Sequence, residues 1–346
     1  MTAPVNTQIA DAFTARLLQV GRAETHERRE VWAILLLLEA DLLSALREAD
    51  PAQFSFLVAR RRAVQFLIRE EVDPLVTTRY AQIERDVDAF LVALAEQEAT
   101  ATRRIVNAAT EARTIEEAPS EAAVRRAVRQ TLIPSPATPT ELSTTGEDWW
   151  SRAAAGLVTR LSDSLMVGVS VEEPLPTLVA RVQGTAANGY ADGIMAKAKE
   201  DAARLLRTQT TNAVSEARVK VADINAEAAL IEHSAVLDSR TSTLCLGRHG
   251  LRYTVPEHEP VHHSVPYING PPYHPSCRST MIVVVQGGGR VPQDTVSSWL
   301  SRRDTAFQDT VLGPTRARMW RAGQLTPQQL IDAATGKPLT LEELGV

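Results

Sequence analysis

Cysteine and histidine side chains crowd into one short part of the sequence. Both cysteines and five of the seven histidines lie there: Cys245, His249, His258, His262, His263, His274 and Cys277. These two residue types are the commonest zinc ligands in proteins. Three residues separate Cys245 from His249, and two residues separate His274 from Cys277. The two pairs could supply four ligands if the fold brought them together. Because a Cys-x-x-Cys pair is missing, the favoured alternative is that the two cysteines are small buried hydrophobic residues.

A second candidate site is the histidine pair in the segment "EPVHHSVPYING", which begins at Glu259. His262 and His263, followed by a proline and an asparagine, resemble the first half of the HNH nuclease motif. In that motif one histidine activates water, and others hold a metal ion near the scissile phosphate. The second half is missing, because "SCRSTMIVVV" runs into a predicted strand. The favoured alternative is a solvated, proline-rich loop with two exposed histidines.

The composition is that of a folded protein without a strong charge. The chain has 346 residues, 44% of them hydrophobic, and a formal net charge of -5. It can bury a full core, and it has no global basic field to recruit nucleic acid. Two cysteines favour a reducing compartment over a disulfide framework. The longest apolar run, residues 31–38, is too short to cross a bilayer and predicts a buried helix, and no secretion signal is expected.

Helical periodicity dominates much of the chain. One helix is expected to begin at Asp73 as its N-cap, with Pro74 in the first turn. The apolar face of that helix recurs at helical spacing: Ile83, Val87, Phe90 and Leu94. Residues 191–229 predict one long helix, or two if it breaks near "TQTTN". The stretch "TVSSWLSRRDTAFQDTVLG" predicts a last helical segment.

Changes in composition predict the domain boundaries. We expect an N-terminal helical domain at 1–132, a Pro/Ser/Thr-rich linker at 133–147 and a helical connector at 148–230. Short runs rich in β-branched residues then predict an α+β module at 231–286. After three glycines, residues 287–346 form a C-terminal helix and tail. The predicted fold class is mainly α with this small α+β module.

Two segments, "VLDSRTSTLCLGRHGLRYTV" and "PPYHPSCRSTMIVVV", together resemble the C-terminal module of the phage Mu F-like minor head proteins. These form a head-morphogenesis family of tailed bacteriophages. The positions that match the family pattern are Asp238, Arg240, Thr241, Cys245, Gly250, Pro272, His274, Pro275, Cys277 and Arg278. Ser242 and Ser279 stand where the family has further cysteines, so half of any cysteine-rich metal site is missing. The resemblance covers about residues 150–343.

The resemblance implies a structural virion protein and not an enzyme. Such a protein would lie in the capsid interior or at the portal vertex, in few copies, after assembly in the host cytoplasm without a leader. The resemblance implies that it acts during prohead assembly and DNA packaging. The implied partners are the portal protein and the major capsid or scaffold proteins, with packaged DNA as a further contact through local basic residues. No membrane contact is expected.

The matching residues predict a rigid latch that closes a small domain. Asp238 and Arg240 lie near a predicted strand-turn boundary, where they can pair or bind loop backbone, and Arg278 can reach the same carboxylate. Pro272 and Pro275 fix the backbone on both sides of His274.

The same interpretation predicts that Cys245, His274 and Cys277 lie together without a cofactor. We expect two unlinked thiols in a dry core. The alternatives are a disulfide and a zinc ion that takes His249 as its fourth ligand.

A DNA-binding function is a further alternative. It would use a group of C-terminal arginines: Arg302, Arg303, Arg316, Arg318 and Arg321. Because Asp304 and Asp309 are interspersed with them, the favoured interpretation is a solvated helix face.

Overall fold

The computed structural model describes residues 3–112, 114–130, 133–134, 142–144, 147–227, 229–289 and 295–346. Its helices are α1 Val5–Ala49, α2 Leu57–Leu67, α3 Asp73–Thr110, α4 Glu121–Gln130, α5 Glu147–Ser170, α6 Leu175–Gln183, α7 Ile194–Asp223, α8 Thr243–Arg248, α9 Val296–Ser301, α10 Thr305–Leu312 and α11 Pro314–Arg321. Its strands are β1 Ile133–Pro134, β2 Leu142–Thr144, β3 Ala229–Ser234, β4 Arg252–Tyr253, β5 Pro260–Val261 and β6 Thr280–Val285. The protein is mainly helical with a small antiparallel sheet in its C-terminal part, which confirms the predicted fold class.

The chain forms two compact units, and both are discontinuous in sequence. The first combines Met1–Gly21, Leu91–Ser143 and Thr208–Val346, and the second combines Arg22–Phe90 and Thr144–Arg207. The helices α1, α3 and α7 each contribute residues to both units. The contiguous domain boundaries at 132, 147, 230 and 286 stay predictions.

The helix predicted to begin at Asp73 begins earlier. α2 leads into a π-helical turn, Ile68–Val72, and this turn leads directly into α3. Asp73 has helical φ and ψ of -61° and -47°, so it is not an N-cap. Pro74 has no N–H to donate to the preceding turn, and the π-helical turn lies where that hydrogen bond would be lost. The predicted apolar face is buried at three positions: Ile83, Val87 and Leu94.

The long helix α7 is shorter at both ends than the predicted span 191–229. It begins after Gly193, whose backbone packs closely on that of Gln183. It ends at Asp223, and just beyond it the Asn225 side chain donates to Val221 O at 2.8 Å. The helix runs through "TQTTN" without a break.

The predicted last helical stretch, 295–313, forms two short helices, α9 and α10, and a third helix, α11, lies in the predicted tail, which corrects the prediction of one helix. Asp304 is the N-cap of α10, because its carboxylate accepts a hydrogen bond from Phe307 N at 2.8 Å. A new helix therefore begins after α9 ends. Gly313, with φ of +79°, then separates α10 from α11. Local capping and a left-handed glycine therefore override the helical periodicity of this segment.

The sheet of the first unit has the strand order β5-β4-β3-β6, and every neighbouring pair is antiparallel. β3 pairs with β6 along its whole length, from Ala229 opposite Val285 to Ser234 opposite Thr280. β6 is buried throughout, as expected for a run of β-branched residues. Side chains of the same unit, including Phe13 and Val219, share its core.

Two further expectations concern helices and the linker. Residues 31–38 lie in the predicted helix, α1, but only one face of it is buried, since Leu36 and Leu37 are each 55% exposed. The span 133–147 lies largely outside the described residues, and where it is described β1 pairs with β2. Across the described part of the chain, every helix is too short or too polar to cross a membrane.

Candidate functional site

The pairing of β3 with β6 brings two distant loops to one end of the sheet. Ser234, the last residue of β3, lies opposite Thr280, the first residue of β6. The loop that leaves β3 therefore starts beside the loop that enters β6. The first loop carries Asp238 and leads to Cys245, and the second carries His274 and Cys277. Strand register, not sequence spacing, thus assembles the candidate site.

The loop after β3 is closed by the Asp238 carboxylate. Asp238 Oδ1 accepts from Arg240 N at 2.9 Å, and Asp238 N donates to Thr241 Oγ1 at 3.0 Å. Thr241 Oγ1 in turn donates to Val236 O. Arg278 crosses from the other loop: its Nη2 donates to Asp238 Oδ1 at 2.6 Å, and its Nη1 donates to Oδ2. The hydrogen bond from Arg278 holds the pKa of Asp238 well below its usual range.

Three possible metal ligands converge where these loops meet. Cys245 Sγ lies 3.7 Å from Cys277 Sγ and 3.3 Å from His274 Nε2. Both thiols are buried and His274 is half-buried. Ser242 begins α8 as its N-cap, since its Oγ accepts from Cys245 N at 3.2 Å, and the same Oγ lies 3.0 Å from His274 Nε2. The helix cap therefore also fixes the distance between a hydroxyl, a thiol and an imidazole.

The orientation of His274 follows from one backbone carbonyl. Its Nδ1 lies 3.1 Å from Pro275 O, and because a carbonyl oxygen only accepts, Nδ1 carries a proton. Nε2 is therefore the nitrogen that offers a lone pair in the neutral imidazole. That nitrogen faces Ser242 and Cys245.

Hydrogen bonding between the two thiols separates their pKa values. The bond from Cys245 lowers the pKa of Cys277 well below the ordinary thiol range. The same bond raises the pKa of Cys245, and burial raises it further. Burial opposes protonation of His274, but hydrogen bonding and the charge of Cys277 outweigh this and raise its pKa. The favoured thiolate is therefore that of Cys277.

The loop before β6 is held by hydrogen bonds from α7. Thr208 Oγ1 accepts from Ser276 N at 3.0 Å, and Thr211 Oγ1 donates to Cys277 O at 2.9 Å. Cys277 N also donates to His274 O at 3.1 Å, which closes a turn around the imidazole. The sequence reasoning missed these threonines. Their signal was the run of short polar residues in "TQTTN", in the middle of a helix with buried faces.

His249 and Gly250 lie apart from this convergence. His249 Nδ1 accepts from Ala235 N at 3.1 Å, so that ring nitrogen is engaged with the backbone after β3. The group of converging ligand atoms does not include His249, so the structure does not bring this expected fourth zinc ligand to the other three. Gly250 has φ of +82° and donates its N–H to His233 O at 2.8 Å, which fits the family's glycine before a strand.

The histidine pair of the nuclease alternative does not converge with a carboxylate. His263 Nε2 donates to Arg252 O at 2.8 Å, while His262 and Glu259 are exposed. Among the described residues, one group of three or more His, Cys, Asp and Glu side chains has ligand atoms close enough to hold a metal ion. That group is Cys245, His274 and Cys277, whose ligand atoms all lie within 4.8 Å of one another.

Several C-terminal arginines contact other parts of the first unit. Arg321 Nη1 donates to Asp309 Oδ1 at 2.9 Å, and Arg316 Nη2 donates to Leu339 O at 2.8 Å. Arg303 lies over the Phe307 ring at 5.4 Å. Arg302 and Arg303 lie between α9 and α10, and the other three arginines lie in α11, so the five do not share the single helix face of the favoured interpretation.

A buried ion pair supports the sheet, and sequence reasoning did not find it. Arg218 Nη2 donates to Glu98 Oε1 at 2.6 Å, and neither side chain is exposed. Arg218 Nη1 also donates to Thr280 Oγ1 at 3.0 Å, which ties α7 to the first residue of β6. Arg16 donates to the second oxygen of Glu98 at 2.8 Å. A charged residue within a helical pattern carries no signal that its partner lies 120 positions away.

One family model matches part of the chain. Residues 156–282 match the family model described as Phage Mu protein F like protein. The matched span contains α7, α8 and the complete group of Cys245, His274 and Cys277. A search of curated proteins finds no match, and a search of solved structures finds none either.

Proposed function

Since the chain is phage Mu F-like over residues 156–282, we propose that it is a structural head-morphogenesis protein of a tailed bacteriophage. The family match carries this proposal, because it spans the loops that meet at the sheet as well as the helix α7 that holds them. The protein would act during prohead assembly and DNA packaging.

The geometry of the matched module supports a structural role. Asp238 is bound by Arg278 through two hydrogen bonds, and the loops around Cys245 and Cys277 are anchored to α7 and α8. Such groups hold a backbone in one conformation, as a protein that must present a fixed surface to its partners requires. We therefore propose that the protein acts by binding its partners and not as an enzyme.

The proposed location is the virion, in the capsid interior or at the portal vertex. The proposed partners are the portal protein and the major capsid or scaffold proteins, which the chain would meet in the host cytoplasm. Contact with packaged DNA would be local, because the net charge of -5 provides no general attraction to phosphate.

The test is to express the chain with the portal, scaffold and major capsid proteins of the phage that encodes it, and to purify the particles. Quantitative mass spectrometry should find it in proheads or mature virions in few copies, and it should copurify with portal rings. Its absence from both kinds of particle would overturn the proposal.

Two variants sharpen this test. Asp238→Ala should lower incorporation, because it removes the bidentate contact with Arg278 and loosens the module. Asp309→Ala is the matched control: its ion pair with Arg321 is similarly exposed but lies outside the matched span. Metal-dependent DNA cleavage that is lost in His263→Ala would support the nuclease alternative instead.

A further inference from the structure

We propose that Cys245, Cys277 and His274 bind one Zn²⁺ ion, with an oxygen ligand in the fourth position beside Ser242. The sulfur and nitrogen ligands would be Cys245 Sγ, Cys277 Sγ and His274 Nε2. This inference concerns the loops themselves and does not depend on a role in head assembly.

The distances already approach those of a tetrahedral zinc site. With Zn–S bonds of about 2.3 Å, two thiolates on one ion lie about 3.8 Å apart. The Sγ atoms of Cys245 and Cys277 lie 3.7 Å apart. A thiolate and an imidazole nitrogen on the same ion lie about 3.6 Å apart, and Cys245 Sγ and His274 Nε2 lie 3.3 Å apart. The two separations that involve Cys245 are therefore within a few tenths of an ångström of those of a zinc site, and all three ligand atoms lie within 4.8 Å of one another.

A hydrogen-bonded thiol pair would have a similar sulfur separation, so the imidazole is the deciding observation. His274 donates its Nδ1–H to Pro275 O at 3.1 Å, which leaves Nε2 to point at the sulfurs. Metal-bound histidines use this arrangement, because an acceptor on one ring nitrogen fixes the tautomer and direction of the other.

The surroundings suit a buried divalent ion. Two thiolates balance the charge of Zn²⁺, so the site as a whole is neutral where Cys277 is fully buried and Cys245 nearly so. The nearby Arg278 is already paired with Asp238 and does not compete for the thiolates. Two thiolates and one imidazole in tetrahedral reach select zinc over the hard ions calcium and magnesium.

The fourth position lies on the side of Ser242. Its Oγ is 3.0 Å from His274 Nε2, and it is held there as the N-cap of α8. Water or this hydroxyl would supply the oxygen ligand. The same geometry predicts that Ser242→Cys adds a third thiolate to the site.

The experiment uses the whole 346-residue chain, purified under reducing conditions without chelator. Elemental analysis should find one Zn²⁺ per chain. After removal of the metal, titration with Co²⁺ should give a thiolate-to-cobalt charge-transfer band and the intense visible bands of a tetrahedral ion. Cys277→Ser should weaken the affinity for Zn²⁺ by more than the roughly 10- to 100-fold cost of losing an outer-shell partner.

A variant that gains affinity for Zn²⁺ provides a test in which a misfolded protein cannot produce the expected result. Ser242→Cys should bind Zn²⁺ about tenfold more tightly or better, because a thiolate replaces an oxygen ligand. His262→Ala is the matched control, since this exposed histidine lies outside the ligand group, and it should leave one ion bound. Substoichiometric zinc in the folded wild-type chain would overturn the proposal, whether or not Ser242→Cys binds the ion. A Cys245–Cys277 disulfide in the reduced preparation would overturn it as well.

Discussion

Arg278 and Asp238 lie 40 positions apart and form a bidentate ion pair that joins the loop after β3 to the loop before β6. Each nitrogen of the guanidinium fork donates to one carboxylate oxygen. Asp238 simultaneously orders its own loop by accepting from Arg240 N. One carboxylate therefore holds both halves of the candidate site.

Removing this pair should loosen both loops. We expect Arg278→Ala to lower the local stability of the module by about 1 kcal/mol, since solvent partly screens a pair at this exposure. Amide hydrogen exchange of residues 236–245 and 274–279 should accelerate in this variant. The control Arg321→Ala breaks a comparably exposed pair with Asp309 and should leave those amides unchanged.

The same pair should make stability depend on pH in the acid range. Because Arg278 lowers the pKa of Asp238 in the folded state, the carboxylate contributes its full stabilisation above the unfolded value of about 3.9. That contribution is lost as the pH falls through the lower folded value. Urea unfolding at a series of pH values should show wild type more stable than Asp238→Asn at pH 7. If the difference in free energy of unfolding between wild type and Asp238→Asn stays constant as the pH falls below about 4, the lowered pKa of Asp238 is not its cause.

Substitution of Glu98 should destabilise the first unit more than substitution of most of its other charged residues. Glu98→Leu leaves Arg218 buried without its carboxylate, which typically costs about 3–5 kcal/mol. Hydrogen exchange in β6 should report the loss, because Arg218 also binds Thr280. The surface pair of Glu121 and Arg125 is the control, and Glu121→Gln should cost about 0.3–0.5 kcal/mol.

A double variant tests the cause of that sensitivity. Glu98→Leu combined with Arg218→Met removes the unpaired buried cation and should recover part of the loss. If the double variant is less stable than Glu98→Leu alone, the penalty does not come from an uncompensated charge.

Gly193 should tolerate no side chain. A Cβ there would lie 2.3 Å from Gln183 C, a backbone atom that cannot rotate away, so Gly193→Ala should cost about 3 kcal/mol or more. Gly156 lies inside α5 with nothing within 4 Å of a Cβ, and Gly156→Ala should stabilise by about 0.5–1 kcal/mol. The midpoint temperature of thermal unfolding should fall in Gly193→Ala and rise in Gly156→Ala.

Sequence alone determined the mainly helical class, most of the apolar face of α3 and the last strand of the α+β module, β6. These features are local: hydrophobic spacing and β-branched runs specify a helix face or a strand wherever the segment ends up. The same local reasoning misplaced helix ends. Asp73 looks like a cap but lies in a continuous helical path, and Asp304 restarts a helix that the periodicity had predicted to be continuous.

The composition of the candidate site was decided by tertiary structure. By sequence spacing alone, His249 was as good a candidate zinc ligand as His274. The register of β3 with β6 places His274 beside the cysteines. His249 instead accepts a hydrogen bond from the backbone N–H of Ala235. The threonines of α7 and the ion pair of Glu98 with Arg218 gave no sequence signal of their partners. The physical reason is that hydrogen bonds and ion pairs act over a few ångströms in space, and chain pairing across long separations determines which polar groups come that close.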